Sequence, residues 1–381
     1  LILQPFLSNI SLKNSVLTNI AMPICLGLGL LYFYQPVKLK AEEIGIGKEN
    51  VVYTPNLQNY PLHITYFGFT DSLLTGWKKR GEKNLTLWLG NSQLHSINQY
   101  LRGQQNCIRF LYDSLEKNNK TVLGISYPNA NLQEFLLTLI YINNKCVKLK
   151  QIVLPVFFDD MREDKIRDDI RNANAVNFIK QSKDSSYFAN ILSITHLFNK
   201  QSKNKTIGNE MKALDETAQE KTEKYLDSFV RSNWKVWRNR PNTRAALFND
   251  VYKLRNYLMG IKGNTKRKMI PGVYKENYEA LLDIFKYCQA KNIELIVYIP
   301  PIRNDVEPPY DMKAYAGFKK EVEKDVLASH AIFMNLENLV AAKYWGTKGS
   351  TSGTGSEIDF MHFQEPGHRL IADTIFQRCK K

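Results

Sequence analysis

With 381 residues, 44% hydrophobic and 12% aromatic, the chain has the composition of a globular protein rather than a disordered one. Its 52 Lys and Arg residues outnumber 37 Asp and Glu residues, and the net charge of +15 suggests polyanionic surroundings: nucleic acid, anionic lipid headgroups or an acidic envelope polymer. The five cysteines are scattered without a C-x-x-C pair or a His-rich partner, so the sequence predicts no metal site, no disulfide framework and no cofactor.

The first predicted element is an apolar, uncharged run at residues 16–34, close to the roughly 20 residues that a bilayer-spanning helix needs. Asn19 and Pro23 interrupt this run, but both are tolerated in membrane helices. A buried core helix and a cleaved signal peptide are the alternatives. We therefore predict a membrane anchor within residues 1–35 and a polar, aromatic connector over residues 36–80. The lysines that flank the run would, by the positive-inside rule, place the C-terminal part in the cytoplasm.

Residues 81–381 alternate apolar, strand-like runs with helix-like runs, interrupted once. The predicted strands span residues 85–89, 121–127, 151–158, 293–299 and 331–335. Helices are predicted at residues 274–290 and 315–329, and a last one follows residue 364. This alternation predicts an α/β fold, a three-layer sandwich with a central, mostly parallel sheet and right-handed crossovers.

The interruption, at about residues 163–270, is polar and helix-favouring, so we predict a helical insertion or cap. In its second half Asp250 is the only acidic residue among many basic ones, and aromatic residues are interleaved with them. The basic residues are Arg231, Lys235, Arg238, Arg240, Arg244, Lys253, Arg255, Lys262, Lys266, Arg267 and Lys268, and the aromatic ones are Trp234, Trp237, Tyr252 and Tyr257. A solvated helix with ordinary aromatic packing, an anionic membrane or polymer surface, and nucleic acid are the possible interpretations. The predicted anchor makes nucleic acid the least favoured partner.

A serine follows the first predicted strand, in the Gly-Asn-Ser-Gln turn at residues 90–93. An apolar strand, a tight turn and a helix together present a nucleophile at the carboxyl edge of a parallel sheet. Near the C terminus, Asp359 stands three residues before His362, so one local turn would supply a base and the carboxylate that orients it. The predicted catalytic triad is therefore Ser92, His362 and Asp359. The other histidines lack such a carboxylate, and His95 is expected on a helix surface.

The turn at residues 90–93 and the Asp-x-x-His-Phe-x-x-x-Gly-His segment at residues 359–368 resemble the first and last blocks of the SGNH (GDSL-like) hydrolase superfamily. The resemblance covers residues 85–162 and 274–376, and it implies a flavodoxin-like fold and a serine acyl-ester activity. The middle blocks depart from the family, in which they supply a Gly and an Asn to the oxyanion hole. Here Asn-Ala-Asn at residues 129–131 replaces the Gly, and Asp159 replaces the Asn.

A carboxylate at Asp159 would repel a developing oxyanion, so backbone N–H groups of the Ser92 turn are expected to form part of the hole, with Asn129 or Asn131 as a side-chain donor. Arg303 follows a predicted strand at its carboxyl edge, where such sheets bind ligands. The candidate oxyanion and substrate-binding residues are Gly90, Gln93, Asn129, Asn131, Asp160 and Arg303.

Within the superfamily, the predicted anchor, the Gly-x-Ser turn and the terminal Asp-x-x-His resemble the membrane-anchored DltD-like and alginate-acetylation-like branches. Their members work beside a membrane-bound O-acyltransferase on acyl esters of envelope polymers. The resemblance implies a single-pass protein of the cell membrane with an extracytoplasmic catalytic domain, contrary to the lysine count. It also implies an O-acyltransferase or esterase that acts on an anionic or carbohydrate polymer. A catalytically weak binding or accessory protein of such an acyltransferase system is the alternative.

Overall fold

The computed structural model describes residues 49–172 except 82 and 146–148, residues 232–380 except 354, and parts of 22–29 and 225–230. The chain divides into two compact units, one of residues 1–45 and 208–255 and the other of residues 46–207 and 256–381. The strands of the described residues are β1 (Asn50–Val52), β2 (Asn56–Leu57), β3 (Tyr60–Pro61), β4 (His63–Ile64), β5 (Asn84–Gly90), β6 (Ser96–Asn98), β7 (Lys120–Ser126), β8 (Leu149–Pro155), β9 (Glu294–Ile299), β10 (Ile332–Asn335), β11 (Trp345–Gly349) and β12 (Ser356–Phe363).

The α-helices lie between these strands and at the C terminus. They are α1 (Thr70–Lys79), α2 (Ser92–His95), α3 (Cys107–Glu116), α4 (Leu132–Lys145), α5 (Asp168–Asn172), α6 (Lys235–Leu258), α7 (Pro271–Lys291), α8 (Met312–Ala328) and α9 (Glu365–Cys379). A 3-10 turn, Asp159–Arg162, follows β8.

Six parallel strands form the central sheet, in the order β10-β9-β8-β5-β7-β4. Without the edge strand β4, this is the 2-1-3-4-5 order of flavodoxin-like folds. All but the first residue of β5, β7 and β9 have little or no exposure, as expected of a sheet that helices cover on both faces. Helix α3 packs against α9, and α4 packs against α7. The predicted α/β class with a parallel sheet is confirmed.

Strand β5 marks the point where the strand order reverses. From β5 the chain continues to its neighbour β7 on one side, and it then crosses to β8 on the other side. Sheets of this kind bind ligands outside the carboxyl ends of the strands at such a reversal. The loops that meet there begin at residues 91 and 156, so the fold places the serine turn where a site is expected.

Residues 50–79, predicted as part of a connector, belong to the α/β unit. Strand β4 extends the central sheet beside β7, and β1 pairs antiparallel with β6. Leu62, Leu73 and Trp77 are almost fully buried. The strands here are two or three residues long, too short for a repeating pattern, and the partners of β1 and β4 are distant in sequence. The structure therefore corrects the predicted connector from residue 50 onward.

The described part of the predicted insertion consists largely of helix. Helix α6 has 24 residues, and aromatic side chains at or beside it are exposed, such as Trp234, Tyr252 and Tyr257. Residues 173–224 of the predicted insertion, and most of the anchor predicted at residues 16–34, lie outside the described residues. Within the described ranges, no helix combines the length and apolarity needed to cross a bilayer.

Candidate active site

Ser92, His362 and Asp359 form a continuous chain of hydrogen bonds. Ser92 Oγ lies 2.9 Å from His362 Nε2, and His362 Nδ1 lies 3.0 Å from Asp359 Oδ2. Ser92 opens α2 and is partly exposed, whereas His362 and Asp359 are 6% and 0% exposed. The three residues predicted as a triad are thus brought together. Asp359 and His362 lie on strand β12, however, and not on a turn ahead of the last helix.

Both carboxylate oxygens of Asp359 accept several hydrogen bonds. Oδ2 accepts from Asn50 Nδ2 at 2.9 Å and from Asn98 Nδ2 at 3.3 Å, besides His362. Oδ1 accepts from the backbone N–H groups of Met361 at 2.9 Å and His362 at 3.0 Å. These bonds fix the carboxylate and, through it, the plane of the imidazole.

The environment of Asp359 favours its ionised form. Burial by itself raises the pKa of the carboxyl, but the charge of His362 and the hydrogen bonds from His362 and Met361 outweigh burial and hold this pKa below its ordinary range. An ionised Asp359 keeps the proton of a neutral His362 on Nδ1, which leaves Nε2 free to accept the proton of Ser92.

The turn that carries Ser92 is shaped by its neighbours. Asn91 Oδ1 accepts from the backbone N–H of Gln93 at 3.0 Å, which caps the short helix α2. A Cβ atom on Gly90 would lie only 2.9 Å from the Leu94 side chain, so the close approach of strand and helix needs glycine here.

Gln93, a candidate substrate-binding residue, instead joins three parts of the site. Its Nε2 donates to the carbonyl oxygen of Pro301 at 2.9 Å and to that of Met361 at 2.8 Å. Both amide hydrogens are therefore used to tie the Ser92 turn to the loop after β9 and to β12. This arrangement makes Gln93 a positioning residue.

The asparagines predicted as oxyanion donors are placed differently from each other. Asn131 is fully buried; its Nδ2 donates to the Lys165 carbonyl at 3.0 Å, and its Oδ1 accepts from the Glu134 N–H at 2.9 Å. These bonds give Asn131 a structural role at the start of α4. Asn129 is exposed, with a left-handed backbone φ of 49°. The structure does not bring either side chain into the hydrogen-bonded group of Ser92.

Arg303, predicted at the carboxyl edge of β9, is neutralised by a near neighbour. Its Nε and Nη2 donate to the two carboxylate oxygens of Asp305 at 2.7 and 3.0 Å, and its Nη1 donates to the Gly346 carbonyl at 2.9 Å. The guanidinium thus holds the loop after β9 to β11.

The two consecutive acidic residues after β8 face different partners. Asp159 Oδ2 accepts from Tyr310 Oη at 2.9 Å and pairs with Arg267 Nη1 at 2.9 Å. Asp160 is 2% exposed, and its Oδ1 accepts from Asn91 Nδ2 at 3.0 Å. Asp160, one of the predicted candidates, is therefore the residue that hydrogen-bonds the Ser92 turn, whereas Asp159, which takes the place of the family's Asn in the motif, is held by Tyr310 and Arg267.

Two further histidines are linked through a serine beneath this turn. Asn106 Nδ2 donates to His63 Nδ1 at 3.1 Å, so the proton of His63 is on Nε2, which donates to Ser126 Oγ at 2.7 Å. The Ser126 hydroxyl then donates to His95 Nδ1 at 2.7 Å. His95, expected on a helix surface, is fully buried. Burial lowers the pKa of His63 to about 3 and that of His95 well below its usual value, so both rings are neutral.

Sequence reasoning missed Asn50 and Asn98. They lie on the antiparallel pair β1–β6, and Asn98 Nδ2 also donates to Asn50 Oδ1 at 3.0 Å and to the Thr347 carbonyl at 2.9 Å. Asn50 is 309 positions from Asp359 along the chain. Neither asparagine belongs to a local motif, so nothing in the sequence pointed to this contact.

Asn50→Ala is expected to lower the free energy of unfolding by about 2 kcal/mol, because it removes a donor from a buried carboxylate. Urea denaturation at neutral pH would measure the loss. Asn56→Ala, at an exposed position on β2, is the matched control and should change the stability by less than about 0.5 kcal/mol. Equal effects of the two substitutions would contradict a structural role for the Asn50–Asp359 bond.

No protein-family model and no curated protein sequence matches this chain. Among solved structures, the crystal structure of a presumed acylhydrolase from Bacteroides fragilis NCTC 9343 is similar, with 8% sequence identity, a TM-score of 0.32, and coverage of 78% of this chain and 88% of that chain. A similarity this remote carries no statement about activity. What the site can do follows from the geometry of Ser92, His362 and Asp359.

Proposed function

We propose that this protein is a serine acyl-ester enzyme, an O-acyltransferase or esterase, with Ser92 as its nucleophile. The observation that supports this most is the pair of contacts of 2.9 Å from Ser92 Oγ to His362 Nε2 and 3.0 Å from His362 Nδ1 to Asp359. A nucleophile, a base and an orienting carboxylate in this order are what acyl transfer needs. Ser92 is also the partly exposed member, so a substrate can reach it.

In the proposed reaction, Ser92 Oγ attacks the ester carbonyl carbon while His362 Nε2 takes the hydroxyl proton. Asp359 stabilises the imidazolium that results. When the tetrahedral intermediate collapses, the C–O bond to the leaving alcohol breaks and His362 returns the proton to that alcohol. The acyl group on Ser92 then passes to water in an esterase, or to an acceptor hydroxyl in a transferase, by the same steps in reverse.

The substrate that we propose is an anionic or carbohydrate polymer of the cell envelope. The support is the resemblance of the Ser92 turn and the Asp-x-x-His segment to the DltD-like and alginate-acetylation-like branches, together with the apolar run at residues 16–34. The net charge of +15 suits a polyanion, and so does the basic stretch at residues 231–268. We accordingly propose a single-pass protein of the cell membrane with an extracytoplasmic α/β domain and a membrane-bound O-acyltransferase as a partner.

One observation favours the second candidate, an accessory protein with weak chemistry. The side-chain amides of Asn131 and Gln93, both predicted to contact substrate, donate to backbone carbonyl groups instead. Loss of one good oxyanion donor costs about 100-fold or more in rate. An SGNH-like module without such a donor would bind a polymer or an acyltransferase and turn over slowly.

A fluorophosphonate probe separates the two candidates, because it phosphonylates only a serine that a neighbouring base activates. We expect the intact protein to be labelled at Ser92, and Ser92→Ala to abolish the label. Ser72→Ala, on α1 and outside the hydrogen bonds of the triad, is the matched control and should label normally. If Ser92→Ala is still labelled, the triad assignment is contradicted. If the intact protein is not labelled, the accessory module is favoured.

A further inference from the structure

Helix α6 carries a stripe of exposed aliphatic side chains along its last turns. Leu247, Val251, Leu254 and Leu258 follow one another at intervals of three or four residues, so they lie on one face of the helix. Each is between 39% and 74% exposed, although aliphatic side chains of this size are usually buried. These four residues, the aliphatic stripe, form a continuous apolar surface rather than single scattered side chains.

The packed side of the helix lies opposite the aliphatic stripe. At 3.6 residues per turn, Asn256 is nearly diametrically opposite the stripe. Asn256 is fully buried, and its Nδ2 donates to the Thr351 carbonyl at 3.0 Å. Asn249, two turns earlier on the same side, is half-buried. The exposure of the stripe is therefore a property of one face of α6 and not of the whole helix.

Positive charge borders the stripe. Arg244 and Arg255 are exposed, and each lies three or four positions from residues of the stripe, along the same edge. The guanidinium of Arg255 covers the ring of the exposed Tyr252, with 4.4 Å between its central carbon and the ring centroid. Asp250 is the only acidic residue of the helix, against six basic ones: Lys235, Arg238, Arg240, Arg244, Lys253 and Arg255.

This combination selects among the partners that a basic helix can have. A soluble anionic polymer would neutralise the arginines but leave four aliphatic side chains in water. Nucleic acid would stack on aromatic rings, and it offers no apolar surface to leucine and valine. A second copy of the helix would cover the stripe but bring together two segments that each carry six positive charges and one negative charge. An anionic lipid surface supplies both an apolar interior and negative headgroups.

A second exposed apolar segment belongs to the same compact unit. Residues 1–45 and 208–255 form that unit, which contains all but the last turn of α6. Residues 22–26 are helical, and Met22, Ile24 and Leu26 are exposed. They lie in the apolar run at residues 16–34, which the sequence predicts as an anchor. A bilayer would cover both segments of this unit, and charge complementarity specifies that its surface is anionic.

We propose that α6 is an interfacial helix that lies on an anionic membrane, with Leu247, Val251, Leu254 and Leu258 in the acyl-chain boundary. Arg244 and Arg255 contact the lipid phosphates, and the ring of Tyr252 lies at the headgroup level. This proposal goes beyond the acyl-ester function and does not depend on Ser92. The fluorophosphonate reaction and the test below can therefore fail independently of each other.

The test places an environment-sensitive fluorophore, NBD, on the stripe of the full-length protein, so that it reports on α6 whether or not another segment inserts. Leu254→Cys carries the label, in a background with Cys25→Ser and Cys146→Ser. The cysteines that remain are buried: Cys107, Cys288 and Cys379. Leu327→Cys, on α8, is the matched control, because Leu254 and Leu327 are both 57% exposed.

We expect vesicles of equimolar phosphatidylcholine and phosphatidylglycerol to shift the emission of the label at Leu254 to shorter wavelength. Lipids with a nitroxide on the upper acyl chain should then quench it. The label at Leu327 should show neither effect, and phosphatidylcholine alone should act more weakly on Leu254. Equal responses at the two positions, or no difference between the two lipid compositions, would overturn the proposal. So would a shift without lipid that rises with protein concentration, or one that soluble polyglutamate produces.

Arg244→Gln tests the electrostatic part in the protein labelled at Leu254. One basic residue fewer at the anionic surface should lower the ratio of docked to undocked α6 about fivefold, and high salt should lower the ratio in the parent as well. Arg378→Gln, at an exposed position on α9, removes the same charge elsewhere and should leave the ratio unchanged. If both substitutions weaken docking equally, the net charge of the protein attracts it to the vesicle, and the assignment of the contact to α6 is wrong.

Discussion

Asp359→Asn is expected to lower kcat/KM for ester hydrolysis by about 10⁴-fold, with little change in KM. An asparagine has the shape of aspartate but must place an NH₂ group at one oxygen position. At Oδ2 that group would meet the donors of Asn50, Asn98 and His362, and at Oδ1 it would meet the backbone N–H groups of Met361 and His362. In either orientation of the asparagine amide, its NH₂ group faces other hydrogen-bond donors, and the negative charge that stabilises the imidazolium is lost.

The same conflict should lower the free energy of unfolding by about 2–3 kcal/mol, so the kinetics must be measured on variant protein shown to be folded by circular dichroism. Asp373→Asn, at an exposed position on α9, is the control and should keep the parental kcat/KM. A folded Asp359→Asn protein within tenfold of the parent would rule out a triad that depends on this carboxylate.

The parts of the site that the sequence predicted are those with a local signature. Ser92 follows an apolar run and a glycine, and Asp359 and His362 are three positions apart, so short-range patterns were sufficient to select them. The strands β5, β7, β8 and β9 were predictable for the same reason, because a strand buried on both faces is a continuous apolar run. Periodicity and turn chemistry predict only the interactions between residues that are close to each other in the sequence.

The parts that the sequence did not predict depend on contacts between distant segments. Asn50 reaches Asp359 only because β1 pairs with β6, and both strands are too short to show a pattern. Which of Asp159 and Asp160 hydrogen-bonds Asn91 is decided by the 3-10 turn after β8, since consecutive residues in a turn point in different directions. In the motif, Asp159 takes the place of the family's Asn and Asp160 is a predicted candidate; the turn brings Asp160, and not Asp159, to Asn91.

The sequence did not predict the burial of His63 and His95, although it did predict that His368 packs at the start of the last helix, and these buried histidines make the fold sensitive to acid. His368 donates from Nε2 to the Ser96 carbonyl at 3.0 Å and packs edge-on against Phe363, with ring centroids 4.6 Å apart. Burial lowers its pKa to about 3, as it does for His63. Protonation of His63 would also turn its Nδ1 into a donor facing the Asn106 amide.

The direction of this pH dependence follows from the lowered pKa values. An unfolded histidine titrates near 6.5, so above that pH neither state binds the proton and the full stability is present. As the pH falls below 6.5, the histidines of the unfolded chain become protonated, whereas His63 and His368 in the native protein do not bind a proton until about pH 3. Between pH 7 and pH 5, His63 and His368 should therefore each remove about 2 kcal/mol of stability, out of the roughly 5–15 kcal/mol typical of a folded domain.

The buried carboxyls Asp160 and Glu134 oppose this loss, because burial raises their pKa values and the native state then holds protons that the unfolded chain lacks. A comparison of variants removes their contribution, since it is common to both proteins. In His368→Gln the amide can still donate to Ser96 but cannot be protonated. The loss of unfolding free energy between pH 7 and pH 5 should accordingly be about 2 kcal/mol smaller than in the parent.

Urea denaturation at the two pH values measures this difference without requiring the variant to be as stable as the parent at pH 7. His330→Asn is the matched control, because His330 is exposed and its left-handed φ of 57° suits asparagine. Between pH 7 and pH 5, His330→Asn should lose as much unfolding free energy as the parent, since the side chain at position 330 is hydrated in both the folded and the unfolded protein. If His368→Gln loses the same amount as well, then His368 takes up its proton without unfolding, and acid sensitivity has to arise from the His63–Ser126–His95 group alone.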